Sequence, residues 1–336
     1  MSRPPVTVVL PFWGSAAEAR EALARLASIE LRDGDAALLV DNTADGVAAE
    51  AEPPAGVRVV RSPVTASAYA ARNVGVEHAE TEWILFIDAD CRPRADLLDR
   101  YWDPPPGERA GLVAGGVTGT PGQGGIVPAY ARSRGHLDQA LLAHHPYRPM
   151  AVTANLLVRR AAWEAVGGFL ERTRSGADAD FCWRVADAGW ELELREEAAV
   201  THDHRATLRA LLAQTRRDGA GGRWLARRWD GYRPAFGARD ALRAAAGTVL
   251  WPLLGRPRRG LFKAIDGIWG VAFDWGMLES NGTPQPPAPP PEVVVVVEEF
   301  PRAADPVVAA VADATARGRA VFVEAARQPR RPDWTR

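Results

Sequence analysis

Cysteine, lysine and long apolar runs are all scarce in this 336-residue chain, and each scarcity excludes something. Two cysteines, Cys91 and Cys182, make no disulfide framework and no thiolate metal cage, and they suit a reducing cytoplasm. The basic residues are nearly all arginine, which beside abundant Ala, Gly and Pro reads as a bias of composition without functional content. A formal net charge of -1 gives no long-range field for nucleic acid. No stretch reaches the roughly 20 apolar residues that a membrane span needs. The best two, 241–254 and 261–278, are interrupted by Arg243 and Pro252, then by Lys263, Asp266 and Asp274. The opening VTVVLPFW is too short for a signal-peptide core and stops at Pro11. The expectation is a cytoplasmic protein, with peripheral contact at the inner face of a membrane left open.

What is present is ordinary for a globular protein, with 47% hydrophobic and 25% charged residues. The first half alternates strand and helix patterns. Strands are expected at 6–10, 36–41, 57–62 and 83–88, and helices at 16–30 and 67–79. Continuous apolar strands separated by helices imply a parallel sheet covered on both faces. Ligands of such sheets sit at the carboxyl ends of the strands, which here are Pro11-Phe12, Asp41-Asn42 and Asp88-Ala89-Asp90. Further on, strands are expected at 111–119 and 150–160, helices at 161–168 and 178–189, and a strand–turn–strand at 191–200. The glycine-rich TPGQGG reads as a loop, since the Lys-Ser/Thr of a phosphate-binding loop is missing. Residues 206–230 read as a basic, Trp-bearing helix pair. An apolar helical segment at 238–279 is open to three readings: core, dimer face or lipid-binding surface. Residues 281–292 form a proline-rich linker, and 293–336 a small βαβ extension.

Three clusters carry candidate chemistry. If the strand at 83–88 continues, side-chain alternation points Asp88 and Asp90 to one face and Ala89 to the other. Two carboxylates there suit Mn²⁺ or Mg²⁺ with a diphosphate completing the shell. The competing reading is a solvated strand end. Asp178 falls in the first turn of a helix, where the macrodipole favours a carboxylate, so capping competes with catalysis. Asp180 lies about 200° around the same helix and cannot serve the same site in the same way. His202 and His204 share a face if VTHDHR is extended, and a neutral imidazole can complete a carboxylate metal site.

In order and spacing, these segments resemble the family 2 glycosyltransferases of the GT-A fold. The resemblance spans about residues 5–220 and rests on VTVVLPFWG, LLVDN, ARNVG, ILFIDADCRP, TANLLVRRAAWEAVGGF, GADADFCWRVADAGWEL and VTHDHR. It implies an α/β fold, a Rossmann-like and mostly parallel sheet flanked by helices. The domain would occupy 1–235, with a nucleotide-binding half at 1–110 and an acceptor half at 111–235, followed by a helical segment at 236–280. The implied reaction moves a sugar from a nucleoside-diphosphate sugar to an acceptor hydroxyl with inversion. Pro11, Phe12 and Asp41 would line the nucleobase pocket, Arg72 and Asn73 would face the nucleotide, and Asp88 the nucleotide sugar. Asp90 and His202 would hold the metal, and Asp178 would be the general base. Asn155, Asp180, Gln214 and Arg217 fall on the acceptor side, the acceptor being a glycan, a lipid-linked molecule or a small molecule. The chain departs from the family pattern at three places: Asn42 for a second Asp, Ala177 for a Glu, and Asp218 for the Trp that follows Gln-x-x-Arg in polysaccharide synthases. Two rivals stand beside this reading. A nucleotidyltransferase would need a basic, glycine-rich loop after the first strand, and PFWGSAAEA has none. A non-catalytic sugar-nucleotide binder has the Ala177 departure as its support.

Overall fold

The computed structural model describes residues 3–62, 65–234 and 237–283, together with the backbone of two strands further on. Met1–Pro284 is one compact unit and Gln285–Arg336 a second. The first unit opens with β1 (Val6–Phe12), α1 (Ala16–Ala27), β2 (Ala36–Asp41), β3 (Val57–Arg61), α2 (Ala68–Glu77) and β4 (Trp83–Ile87). It continues through β5 (Cys91–Pro93), α3 (Leu97–Arg100), β6 (Ala110–Gly119), α4 (Ile126–Ser133), α5 (Gln139–Ala143) and β7 (Asn155–Arg159). Then come α6 (Arg160–Val166), α7 (Ala177–Asp187), β8 (Glu191–His202), α8 (Leu208–Arg228), α9 (Ala238–Leu253) and α10 (Pro257–Gly276). In the second unit β9 (Val293–Val297) and β10 (Val321–Ala325) pair in parallel, as a βαβ unit requires. The helix expected between them, and most of the proline-rich stretch, lie outside the described residues.

Eight strands form one sheet in the order β3-β2-β1-β4-β7-β6-β8-β5. The first four are mutually parallel, β7 runs against both β4 and β6, and β6 pairs in parallel with β8. β1, β2 and β4 are buried along nearly their whole length because both faces are covered. Val6, Val8, Leu10 and Phe12 join the core under α1, while Val9 between them joins the core under α2 and α7. The same alternation divides Trp83, Leu85 and Ile87 from Ile84 and Phe86. α1 begins at Ser15, whose hydroxyl caps the Glu18 amide while the Glu18 carboxylate accepts from the Ser15 amide, a capping box. α2 lies so close to β1 that a Cβ on Gly75 would run into Val9.

Several expectations need correction. Residues 208–228 are one helix, not a pair. Its glycines, which mimic a break, admit neighbours instead: a Cβ on Gly219 would meet the Phe273 carbonyl, and one on Gly221 would meet Ser175. Residues 191–202 are one irregular strand, not two, because register shifts against β6 absorb the apparent turn. Residues 150–154 are a loop, tied down by the Gln139 side chain, which donates to the Val152 carbonyl at 2.9 Å and accepts from the Val152 amide at 3.0 Å. The helices α9 and α10 belong to the main unit, since α10 packs on α8. Residues 281–283, expected in the linker, belong to the first unit, where Gly282 bridges to Thr173.

Candidate active site

At the carboxyl end of β4 the chain turns instead of continuing. The Cys91 amide donates to the Asp88 carbonyl at 3.0 Å, so Asp88–Cys91 is a turn and strand alternation does not govern the two acids. The turn delivers the chain to β5, whose Cys91 pairs with His202 on β8. That crossing brings Asp90 beside His202, with Oδ2 3.3 Å from Nε2, and beside Arg205 at 3.8 Å. Arg25 of α1 pins the turn from below by donating to the Ala89 carbonyl. Burial disfavours the Asp90 carboxylate, but the hydrogen bond and charge of His202, then Arg205, outweigh it and hold its pKa below the usual value.

A cavity of about 1050 Å³ opens above this turn. Pro11, Phe12, Arg72, Asp88 and Asp90 line it from the carboxyl ends of β1 and β4 and from α2. Asp178, Gln214 and Arg217 line it from the first turn of α7 and from α8. Charges and hydrogen bonds link these groups. Arg72 pairs with Asp88 at 2.5 Å and lies over the Tyr69 ring, 5.4 Å from its centroid. Tyr69 donates to Asp178, as do the amide and hydroxyl of Thr153, both at a long 3.4 Å. Asp178 therefore has weak partners. Burial raises its pKa and the Asp88 charge adds to this, while Arg72 and the donors offset part of it. Tyr69, buried and next to that carboxylate, is raised well above its own usual value and stays protonated.

Four residues expected at the site do other work. Asp41 is fully buried, accepts from the Thr43 amide and hydroxyl and the Ala48 amide at 2.6 to 2.9 Å, and so shapes the turn after β2. Asn73 is spent on the Phe169 backbone, donating to its carbonyl at 2.9 Å and accepting from its amide at 3.0 Å. Asn155 is enclosed in the core, where it accepts from Tyr101 and donates to the Gly116 and Ala198 carbonyls. Asp180 faces away from the cavity into Arg184, Arg228 and the Trp229 indole. Cys182 is core, its thiol pushed up to about 12 by burial.

Other residues join the site unannounced. Tyr69 precedes Arg72 by three on one helix, a spacing that shares a face and could have flagged it. Arg205 follows His202 by three and donates to Gln214 at 3.1 Å. Asp218 lines the cavity and accepts from Ser175 at 3.1 Å, with its pKa raised by burial, lowered by Arg217 and the Ser175 hydroxyl, and raised again by Asp178. Thr153 gave no signal, since nothing marks a loop threonine as a neighbour of a distant helix. His204 packs beside His202, ring centroids 5.6 Å apart, and is pushed down to about 4 by burial and then by the His202 charge.

The donor set fits a divalent ion only in part. Among the described residues no group of three or more His, Cys, Asp or Glu side chains is arranged to hold a metal. Asp90 and His202 supply one oxygen donor and one nitrogen donor, and the buried His202 Nδ1 has no hydrogen-bond partner. Two protein ligands suit an ion that takes its remaining ligands from a bound diphosphate.

Comparison with known proteins now adds to this geometry. The family model described as Glycosyl transferase family 2 matches residues 7–166. Over that stretch the chain is similar to the family 2 glycosyltransferases. A pre-mycofactocin glycosyltransferase of Mycobacterium tuberculosis is 31% identical over 220 residues, covering 62% of this chain and 45% of that protein. The glycosyltransferase AglE of Haloferax volcanii is 33% identical over 137 residues, 41% of this chain and 44% of that one. The chain thus spans less than half the length of these relatives. Among solved structures, the mannosyltransferase PcManGT of Pyrobaculum calidifontis, in complex with GDP-Man and Mn²⁺, superposes with a TM-score of 0.56 at 20% identity. That match covers 82% of this chain and 88% of the other, and it establishes the glycosyltransferase fold, GT-A. The matched stretch holds β1 through α6, so α7 with Asp178 and β8 with His202 lie beyond it.

Proposed function

We propose that this chain transfers a sugar from a nucleoside-diphosphate sugar to an acceptor hydroxyl with inversion at the sugar carbon. What carries the reading is the convergence of Asp88 and Asp90 from the end of β4, and Asp178 from α7, on a single cavity. Asp90 and His202 would hold a divalent ion, Mn²⁺ or Mg²⁺, which when bound neutralises charge on the departing diphosphate. The mannosyltransferase of like fold binds GDP-Man and Mn²⁺, and this supports the same ligand classes here. Pro11 and Phe12 give the base an apolar wall, and Arg72, fixed by Asp88, stands ready for the donor's polar groups.

Asp178 is the general base. Its partners are long and its pKa is raised, both of which favour taking a proton from a hydroxyl held against it. Attack from the Asp178 side, with the diphosphate leaving on the Asp90 side, inverts the carbon. Gln214, Arg217 and Asp218 face the acceptor, so Asp218 supplies a second carboxylate to a wall where Ala177 supplies none.

A thermal-shift screen of UDP-, GDP- and TDP-sugars with and without Mn²⁺ tests the donor class, because a ligand of the folded state raises its apparent stability. A sugar nucleotide that stabilises only with metal is expected. If no sugar nucleotide stabilises the protein under either condition, the donor assignment fails.

A further inference from the structure

Thirteen large hydrophobic residues are exposed among the described residues, and ten of them fall between Leu242 and Leu278. They are not scattered over the two helices. On α9, Leu242, Val249 and Leu253 recur at spacings of seven and four, and so form one stripe along the helix. On α10, Leu261, Ile268 and Trp275 recur every seven residues, with Val271 beside them. Exposure at these positions runs from 45% for Ile268 to 78% for Leu253, far from what a buried stripe shows. Other positions of α10 are already used. A Cβ on Gly276 would run into the Arg216 carbonyl of α8, and Phe273 reaches the cavity wall.

The turn that joins the two helices is basic. Leu253-Leu254-Gly255 is followed by Arg256, Arg258 and Arg259, and no ion pair engages these three arginines among the described residues. They lie over aromatic rings instead, Arg256 and Arg259 over Trp251 and Arg258 over Phe262, at 5.1 to 5.7 Å. The nearby acids are engaged elsewhere. Asp266 accepts from Tyr130, Arg134 and Lys263, and Asp240 from the Gly237 amide at the start of its own helix. Neither helix is long and apolar enough to cross a membrane.

We propose that the α9–α10 hairpin lies on the surface of a bilayer with anionic headgroups, its leucine stripes among the upper acyl chains and its arginine tip on the phosphates. An apolar stripe with a rim of unpaired arginines and a tryptophan is what an interfacial helix carries. The charge decides between occupants. A second copy of this chain would bring the same three arginines and few free acids, whereas an anionic surface supplies the missing partners. Because α10 also packs on α8, the contact would hold the cleft beside the lipid surface. The inference does not depend on the chemistry in that cleft.

Flotation of the full chain with phosphatidylcholine vesicles, and with vesicles that contain 30 mol% phosphatidylglycerol, tests it. Binding only to the anionic vesicles is expected, weakening as salt rises. The triple substitution Arg256→Ala, Arg258→Ala and Arg259→Ala is expected to lower the partition coefficient about a hundredfold or more. Leu253→Ser with Leu254→Ser should lower it about tenfold. Circular dichroism melts and sugar-nucleotide binding that match the unaltered chain confirm that the variants fold. The proposal fails if the full chain ignores anionic vesicles or if the folded arginine variant floats like the original. It also fails if sedimentation equilibrium shows a dimer that Leu253→Glu dissociates, which would make the stripe a contact between copies.

Discussion

Four carboxylates occupy matched positions in this fold. Asp41 and Asp88 each follow the last apolar residue of a parallel strand, and Asp178 and Asp180 share the first turn of α7. Within each pair one acid is saturated by its own protein and the other is left facing the cavity. Asp41 accepts three hydrogen bonds from the turn after β2, and Asp180 is held by two arginines and an indole. Asp88 has one arginine that itself lines the cavity, and Asp178 has only long bonds and a tyrosine. Both members of each pair stand at a strand end or in a first helical turn, so that placement alone does not separate binding from architecture. The supply of nearby donors does.

Substitutions should separate the two groups, and the largest effects belong to the open acids. Asp90→Ala is expected to lower transfer by about a thousandfold or more, since a lost metal ligand removes several kcal/mol of charge stabilisation. It should also abolish any Mn²⁺ dependence of nucleotide binding by calorimetry. Asp178→Asn should slow transfer by about 10²- to 10⁴-fold while leaving donor affinity within about twofold. Full activity in that variant would remove Asp178 as the base.

The saturated acids should answer in stability. Asp180→Asn leaves Arg184 and Arg228 without a counter-charge, and a loss of about 3 kcal/mol in urea unfolding is expected, at the low end because Arg228 is half open to solvent. If Asp180→Asn unfolded normally but lost transfer selectively, the division would be wrong. Gly75→Ala is a packing control, expected to cost about 1–3 kcal/mol by forcing α2 off β1.

The smallest effect has an informative sign. Burial raises the folded-state pKa of Asp178, so ionising it costs the folded chain more than the unfolded one. That cost is present in full above the folded pKa and absent below the unfolded value of about 3.9. Asp178→Asn should therefore raise the melting temperature slightly at pH 7, and the difference should vanish below about pH 4. Asp180→Asn should lower it at pH 7. For transfer, the acid limb of the pH–rate profile should lie above the ordinary carboxylate range.

The sheet was legible because its signals are local. Residues 36–41 form a strand over the expected span, and 83–87 miss by one residue, since apolar runs of that length bounded by turns leave few alternatives. Asp88, Asp90 and Asp178 stand out through the family pattern, and all three line the cavity. What could not be read depends on contacts between distant segments. The fates of Asn73 and Asn155 are decided by carbonyls of Phe169 and Ala198, far along the chain. The glycines of α8 admit α10 and the Ser175 loop, and neither contact has a local trace in that stretch. Asp180 was placed on the wrong side of the balance between site and scaffold although its helical angle already pointed away from Asp178.

Asn281 ties the segment after α10 to the loop that leads into α7. Its side chain accepts from the Ser175 amide at 3.1 Å and donates to the Ser175 carbonyl at 2.8 Å, while its carbonyl accepts from Arg174 at 2.8 Å. The loop so gripped ends at Gly176, one residue before the helix that presents Asp178. The smallest unit able to hold Asp178 in place therefore extends at least to Asn281. A protein trimmed to residues 7–166 would keep Asp88 and Asp90 and lose Asp178 together with its brace.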